Sequence, residues 1–157
     1  MLRPQRRFTI KGLAFGPAAF SLVLGASAVV AQDKGAVDAV YRKVSAAEAV
    51  IAKAIGAGNS RQLSQTGAEL GRIIEAALKR REDGGTVTAC DMAAHSLAYL
   101  AVSVADGLAN KGEARRMLIE DARAAASDFQ KDMTACDKQA GKKTGSHTSV
   151  EKALRAL

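Results

Sequence analysis

The chain has 157 residues, 48% of them apolar, 25% charged and only 4% aromatic, with two cysteines and two prolines. That is the composition of one globular domain; it excludes a disordered chain, a multi-pass membrane protein and a cysteine-dense miniprotein. The formal charge is +7, but it is concentrated at the ends: Arg3, Arg6, Arg7 and Lys11 precede any acidic residue, and Lys142, Lys143, Lys152 and Arg155 face Glu151 alone. Residues 32–140 carry 15 basic and 15 acidic side chains with interleaved signs. Such a body has no electrostatic footprint for nucleic acid.

Residues 1–31 have the pattern of a secretory signal peptide. A basic stretch to Lys11 is followed by an uncharged run from Gly12 to Ala31 that ends in small residues. Cleavage after Ala31 fits best, with Ala28 as the alternative. A retained anchor is the competing reading, since twenty apolar residues can span a bilayer, but Gly12, Gly16, Pro17 and Gly25 weaken that helix. Arg6-Arg7-Phe8-Thr9 partly resembles a twin-arginine export signal and departs from it at Thr9. The expected destination is the periplasm or the extracellular space, with membrane contact only through the signal during export.

Beyond the signal the apolar period is helical nearly throughout, and no alternating strand pattern appears. The first predicted helix covers about 35–55, with a stripe through Val37, Val40, Tyr41, Val44, Ala47, Ile51, Ala54 and Ile55, and ends at Gly56-Ala57-Gly58-Asn59. The second begins at Ser60 as N-cap and runs to about Glu82. Its stripe passes through Leu63, Gly67, Leu70, Ile73, Ile74, Ala77 and Leu78. Lys79-Arg80-Arg81 complements the dipole of its last turn.

The third predicted helix covers about 86–109 with Cys90, Ala93, Leu97, Leu100, Ala101, Val104 and Leu108 on its core face. The fourth starts after Asn110-Lys111-Gly112, with Asn110 and Glu113 spaced as a capping box. It presents Met117, Leu118, Ala122, Ala125, Phe129, Met133 and Cys136 on one face. Residues 141–149 read as a flexible linker with His147 in solvent. Thr148 and Glu151 then frame a short amphipathic helix carrying Val150, Ala153, Leu154 and Leu157. The fold class that follows is all-α: an antiparallel four-helix bundle in up-down-up-down order over 32–140, a signal peptide before it, and a basic linker with a short helix over 141–157.

Cys90 and Cys136 are expected to form a disulfide. Residue 113, midway between them, falls at the turn between the last two long helices. In an antiparallel hairpin they therefore meet far from that turn. Neither Cys-x-x-Cys nor Cys-x-x-Cys-His spacing occurs, which argues against a redox motif and a c-type haem attachment.

Asp91, His95 and Tyr99 recur every four residues, so the sequence places them on one helix face as a candidate ligand or metal site, with a local ion pair as the plainer alternative. Haem ligation by His95 with Met117 or Met133 has no supporting pattern, and Met92 is on the same helix as His95. Glu-x-x-His pairs, P-loops, nucleophile elbows and dinucleotide fingerprints are absent from the sequence. No cofactor and no catalytic activity are expected. The functional expectation is an exported binding, inhibitor or accessory module acting on an unidentified protein partner, with a periplasmic small-ligand or metal binder using Asp91, His95 and Tyr99 as the alternative.

Overall fold

The structure, a computed structural model, describes residues 26–157, with side chains from Lys34 onward. The expected signal segment lies outside these residues except for its final part, 26–31, which forms the start of the first helix. Five helices follow in order: α1 (Ala26–Gly56), α2 (Ser60–Glu82), α3 (Ala89–Ala109), α4 (Gly112–Gln139) and α5 (Ser149–Leu154). The described residues contain no strand, and the four long helices make an all-α bundle.

Helix α3 is the central rod. It packs along α2 on one side and α4 on the other, while α1 lies across α2 and α3. The short α5 wedges between α1 and α4, which scarcely touch each other directly. The reason is visible in the side chains. Ala93, Ala94, Ala101 and Ala105 of α3 are buried beside Leu97, Leu100 and Val104, so small residues let both neighbours approach. Gly67 extends this on α2: a Cβ placed there would stand 3.0 Å from Val102 Cγ2 and 3.4 Å from the Ala98 carbonyl oxygen. By length and composition α3 is also long and apolar enough to cross a membrane, but 61% of its most apolar window is buried inside the bundle.

The cysteines meet as the sequence predicts. Their sulfurs are 2.00 Å apart and their Cα atoms 4.5 Å apart. They join the start of α3 to the end of α4, and the bond points to an oxidising compartment. At the opposite end of the same hairpin, Gly107 admits Ile119.

Several local expectations are corrected. Helix α1 begins nine residues before the predicted start. Asn59, not Ser60, caps α2, accepting from the Gln62 amide at 3.0 Å. Helix α3 starts three residues late because Thr88 and Asp91 form a reciprocal capping box there, which uses Thr88 as the cap and leaves 86–87 outside. The Asn110–Glu113 box does not form: Asn110 Nδ2 donates back to the Asp106 carbonyl at 2.8 Å, and Glu113 pairs with Arg116. The Thr148–Glu151 box is also absent, since Gln130 and Arg155 engage the Glu151 carboxylate.

Met117 is 55% exposed and Ile119 is buried in its place; two residues apart, they point to opposite sides of a helix. Leu78 is 45% exposed on the outer side of α2.

Closing a 46-residue separation constrains the unfolded chain by about 4 kcal/mol on the chain-entropy account. The Cys90→Ala/Cys136→Ala variant is therefore expected to lose about 2–5 kcal/mol in urea unfolding. Gly67→Leu, which forces α2 away from α3, is expected to cost about 1–3 kcal/mol; an unchanged urea midpoint would show that the close approach contributes nothing.

Candidate functional site

Helices α1 and α2 run antiparallel from the turn at Ala57-Gly58, yet they do not close on each other along their outer side. A half-open groove of about 760 Å³ lies between them. On α1 its wall is formed mainly by Ala36, Ala39, Lys43, Ala46 and Val50; on α2 by Thr66, Glu69, Arg72, Ile73 and Ala76. Ala47 and Leu70, both buried, form its floor. Alanines at these positions present little side chain to fill the space.

The C-terminal segment holds α1 from its other flank. Asp38 accepts from Lys142 Nζ at 2.8 Å, and the same ammonium lies 5.7 Å from the centre of the Tyr41 ring. Glu48 accepts from Ser149 Oγ and meets His147. Asp38, Tyr41 and Glu48 fall on one side of the buried α1 stripe, and the groove residues fall on the other.

The stretch predicted as a loose linker is thus tied to the bundle, and His147 is not in solvent. Its side chain is 11% exposed, with Nδ1 at 3.1 Å from Glu48 Oε2 and Nε2 at 2.9 Å from Asp137 Oδ2. Asp137 is fully buried and also accepts from the Gly145 amide at 2.8 Å. Gly145 passes so close to the imidazole that a Cβ would lie 2.9 Å from Nε2. His147 itself has φ 45°, a left-handed conformation that histidine tolerates better than most residues.

A neutral imidazole has one donor nitrogen, so only the imidazolium satisfies both carboxylates. Burial opposes that charge, but the hydrogen bonds to Asp137 and Glu48 outweigh it and raise the pKa of His147 above its ordinary 6.5.

The candidate trio on α3 does not converge. Asp91 is fully buried and its Oδ2 is committed to Arg80 Nη2 at 2.7 Å and to the Thr88 amide and hydroxyl at 2.8 and 2.7 Å. His95 is exposed, and Tyr99 is 51% exposed. Each four-residue step turns about 40° around a helix axis, so the three positions drift through about 80°. That carries them from the α2 interface into solvent. The described residues contain no cluster of three or more His, Cys, Asp or Glu side chains suited to one metal ion.

Sequence reasoning missed the groove, because no single helix contains it. It also missed the paired role of Asp91 and Asp137, for which there was a signal: each cysteine is followed directly by aspartate, Cys90-Asp91 and Cys136-Asp137. Comparison with protein-family models, curated proteins and solved structures found no match to this chain.

The raised pKa of His147 has a definite consequence for stability. Its contribution is complete below the ordinary value of 6.5 and is lost as pH rises through the higher folded-state value. The urea midpoint is expected to fall between pH 6 and pH 9, and to fall less in His147→Gln. Equal pH dependence in the two proteins would remove the clasp from the explanation. Arg80→Met, which leaves the buried Asp91 carboxylate without its cation, is expected to cost on the order of 2 kcal/mol, read in the same assay.

Proposed function

We propose that this chain is an exported, non-catalytic binding module that loses residues 1–31 and acts through its surface as an inhibitor or accessory protein. Its binding face is the groove between α1 and α2. One observation carries this reading: an apolar trough of about 760 Å³, within the ~300–1,000 Å³ range of ligand sites, on a body stapled by a disulfide. The oxidised cysteine pair supports delivery to an oxidising compartment, as does the basic-then-apolar pattern of residues 1–31. The groove lies on α1 and α2, away from the exposed His95 and Tyr99, so the reading places binding there and not on that face of α3.

The test joins processing to binding. The exported fraction is expected to contain a chain beginning at Gln32, by intact mass, with no titratable thiol. Oxidised protein used as bait is expected to retain a partner that the groove-filling variant Ala46→Trp does not. Unprocessed chain with two free thiols would overturn the export reading. Identical partner retention by both baits would overturn the groove as the binding face.

A further inference from the structure

The dimensions and charge of the groove specify the kind of partner it fits. Its α1 wall extends from Ala36 to Val50, about 21 Å at 1.5 Å per residue, or roughly four helical turns. Small side chains line both walls, with Ala39 and Ala46 on α1 and Ala76 on α2, so another backbone can approach closely.

Each rim carries one exposed cation, Lys43 on α1 and Arg72 on α2. Lys43 and Arg72 are nearly equally distant from the turn, about 20 Å from the end of α1 at Gly56 and about 18 Å from the start of α2 at Ser60 along their helices. In an antiparallel pair they therefore stand at nearly the same level on opposite sides of the trough. Both are exposed, and among the described residues neither has an acidic partner within ion-pair distance. Among the described residues lining the groove Glu69, three residues from Arg72, is the one acid; Arg80, at the far end, is held by Asp91.

We infer that this groove receives an amphipathic helix of another protein, about four turns long, with an apolar buried face and acidic residues along both flanks. The inference rests on the proposed role as a binding module. Helix-in-groove recognition uses apolar anchors at three- and four-residue steps, and flanking charges choose the partner as they do beside a coiled-coil seam. Cations on both rims match acids on both flanks. The basic segments of this chain itself, around Arg6-Arg7 and Lys142-Lys143, carry the wrong charge for these rims. A single carboxylate head group would need only one cationic site at an end of the trough, whereas Lys43 and Arg72 stand halfway along it.

The test uses the oxidised full chain and two fluorescein-labelled 16-residue peptides. Both carry leucine at the buried heptad positions; one has glutamate and the other lysine at the flanking positions. The glutamate peptide is expected to bind at least tenfold more tightly than the lysine peptide. Lys43→Glu/Arg72→Glu is expected to reverse that order, and Ala46→Trp to abolish binding of both. These positions are exposed, and an unchanged thermal melt by circular dichroism confirms that the variants fold.

Equal affinity for the two peptides, or binding indifferent to Ala46→Trp, overturns the inference. So does saturable, groove-dependent binding of sodium oleate without peptide binding, or self-association that Ala46→Trp removes. If the peptides fail while Ala46→Trp still releases the natural partner from the bait, the helix assignment falls and the binding-module reading survives.

Discussion

The bond between Cys90 and Cys136 anchors one end of this molecule, and the two residues that follow the cysteines extend its reach. The disulfide fixes the start of α3 against the end of α4. Asp91, next in sequence, closes the α3 cap and holds the last turn of α2 through Arg80. Asp137 holds the C-terminal segment through His147 and Gly145. Both aspartates are fully buried. Buried carboxylates are costly unless paired, so each is tolerable only while its tethered element stays in place. One covalent tie and two charged anchors thereby connect α2, α3, α4 and the tail at a single end of the bundle.

That arrangement compensates for a core poor in large side chains. Phe129 is the one aromatic residue among the largest fully buried side chains, and much of the α3 interface is alanine. Alanine permits close packing but removes little apolar area from water. Val150 and Leu154 of α5 add fully buried aliphatic area where α1 and α4 scarcely touch. The same docking gives α1 its partners on the flank away from α2.

The electrostatics divide in the same way. Around His147 the charges are largely buried and opposite in sign, and the imidazole bridges Glu48 Oε2 and Asp137 Oδ2, which specifies one position for the C-terminal segment although Asp137 Oδ1 has no partner among the described residues. Along the groove Lys43 and Arg72 are exposed and unpaired among the described residues, a distribution suited to selecting a partner and contributing little to folding. The contrast separates side chains that hold the molecule together from those available for recognition.

Periodicity made the four long helices legible, because a buried helical face imposes three- and four-residue spacing whatever it packs against. Cysteine parity and the position of the third turn likewise determined the disulfide, since an antiparallel hairpin brings positions equidistant from its turn together. The caps at Asn110 and Thr148 were misread because capping residues had competing partners nearby: the Asp106 carbonyl for one, Gln130 and Arg155 beside the other. Asp91, His95 and Tyr99 looked like one face because a four-residue step hides its angular drift. The groove and the His147 clasp were decided by tertiary structure alone. The groove depends on how far apart two helices lie. The clasp joins Asp137, ten residues before His147, to Glu48 on another helix 99 residues away, and no local pattern encodes that second contact.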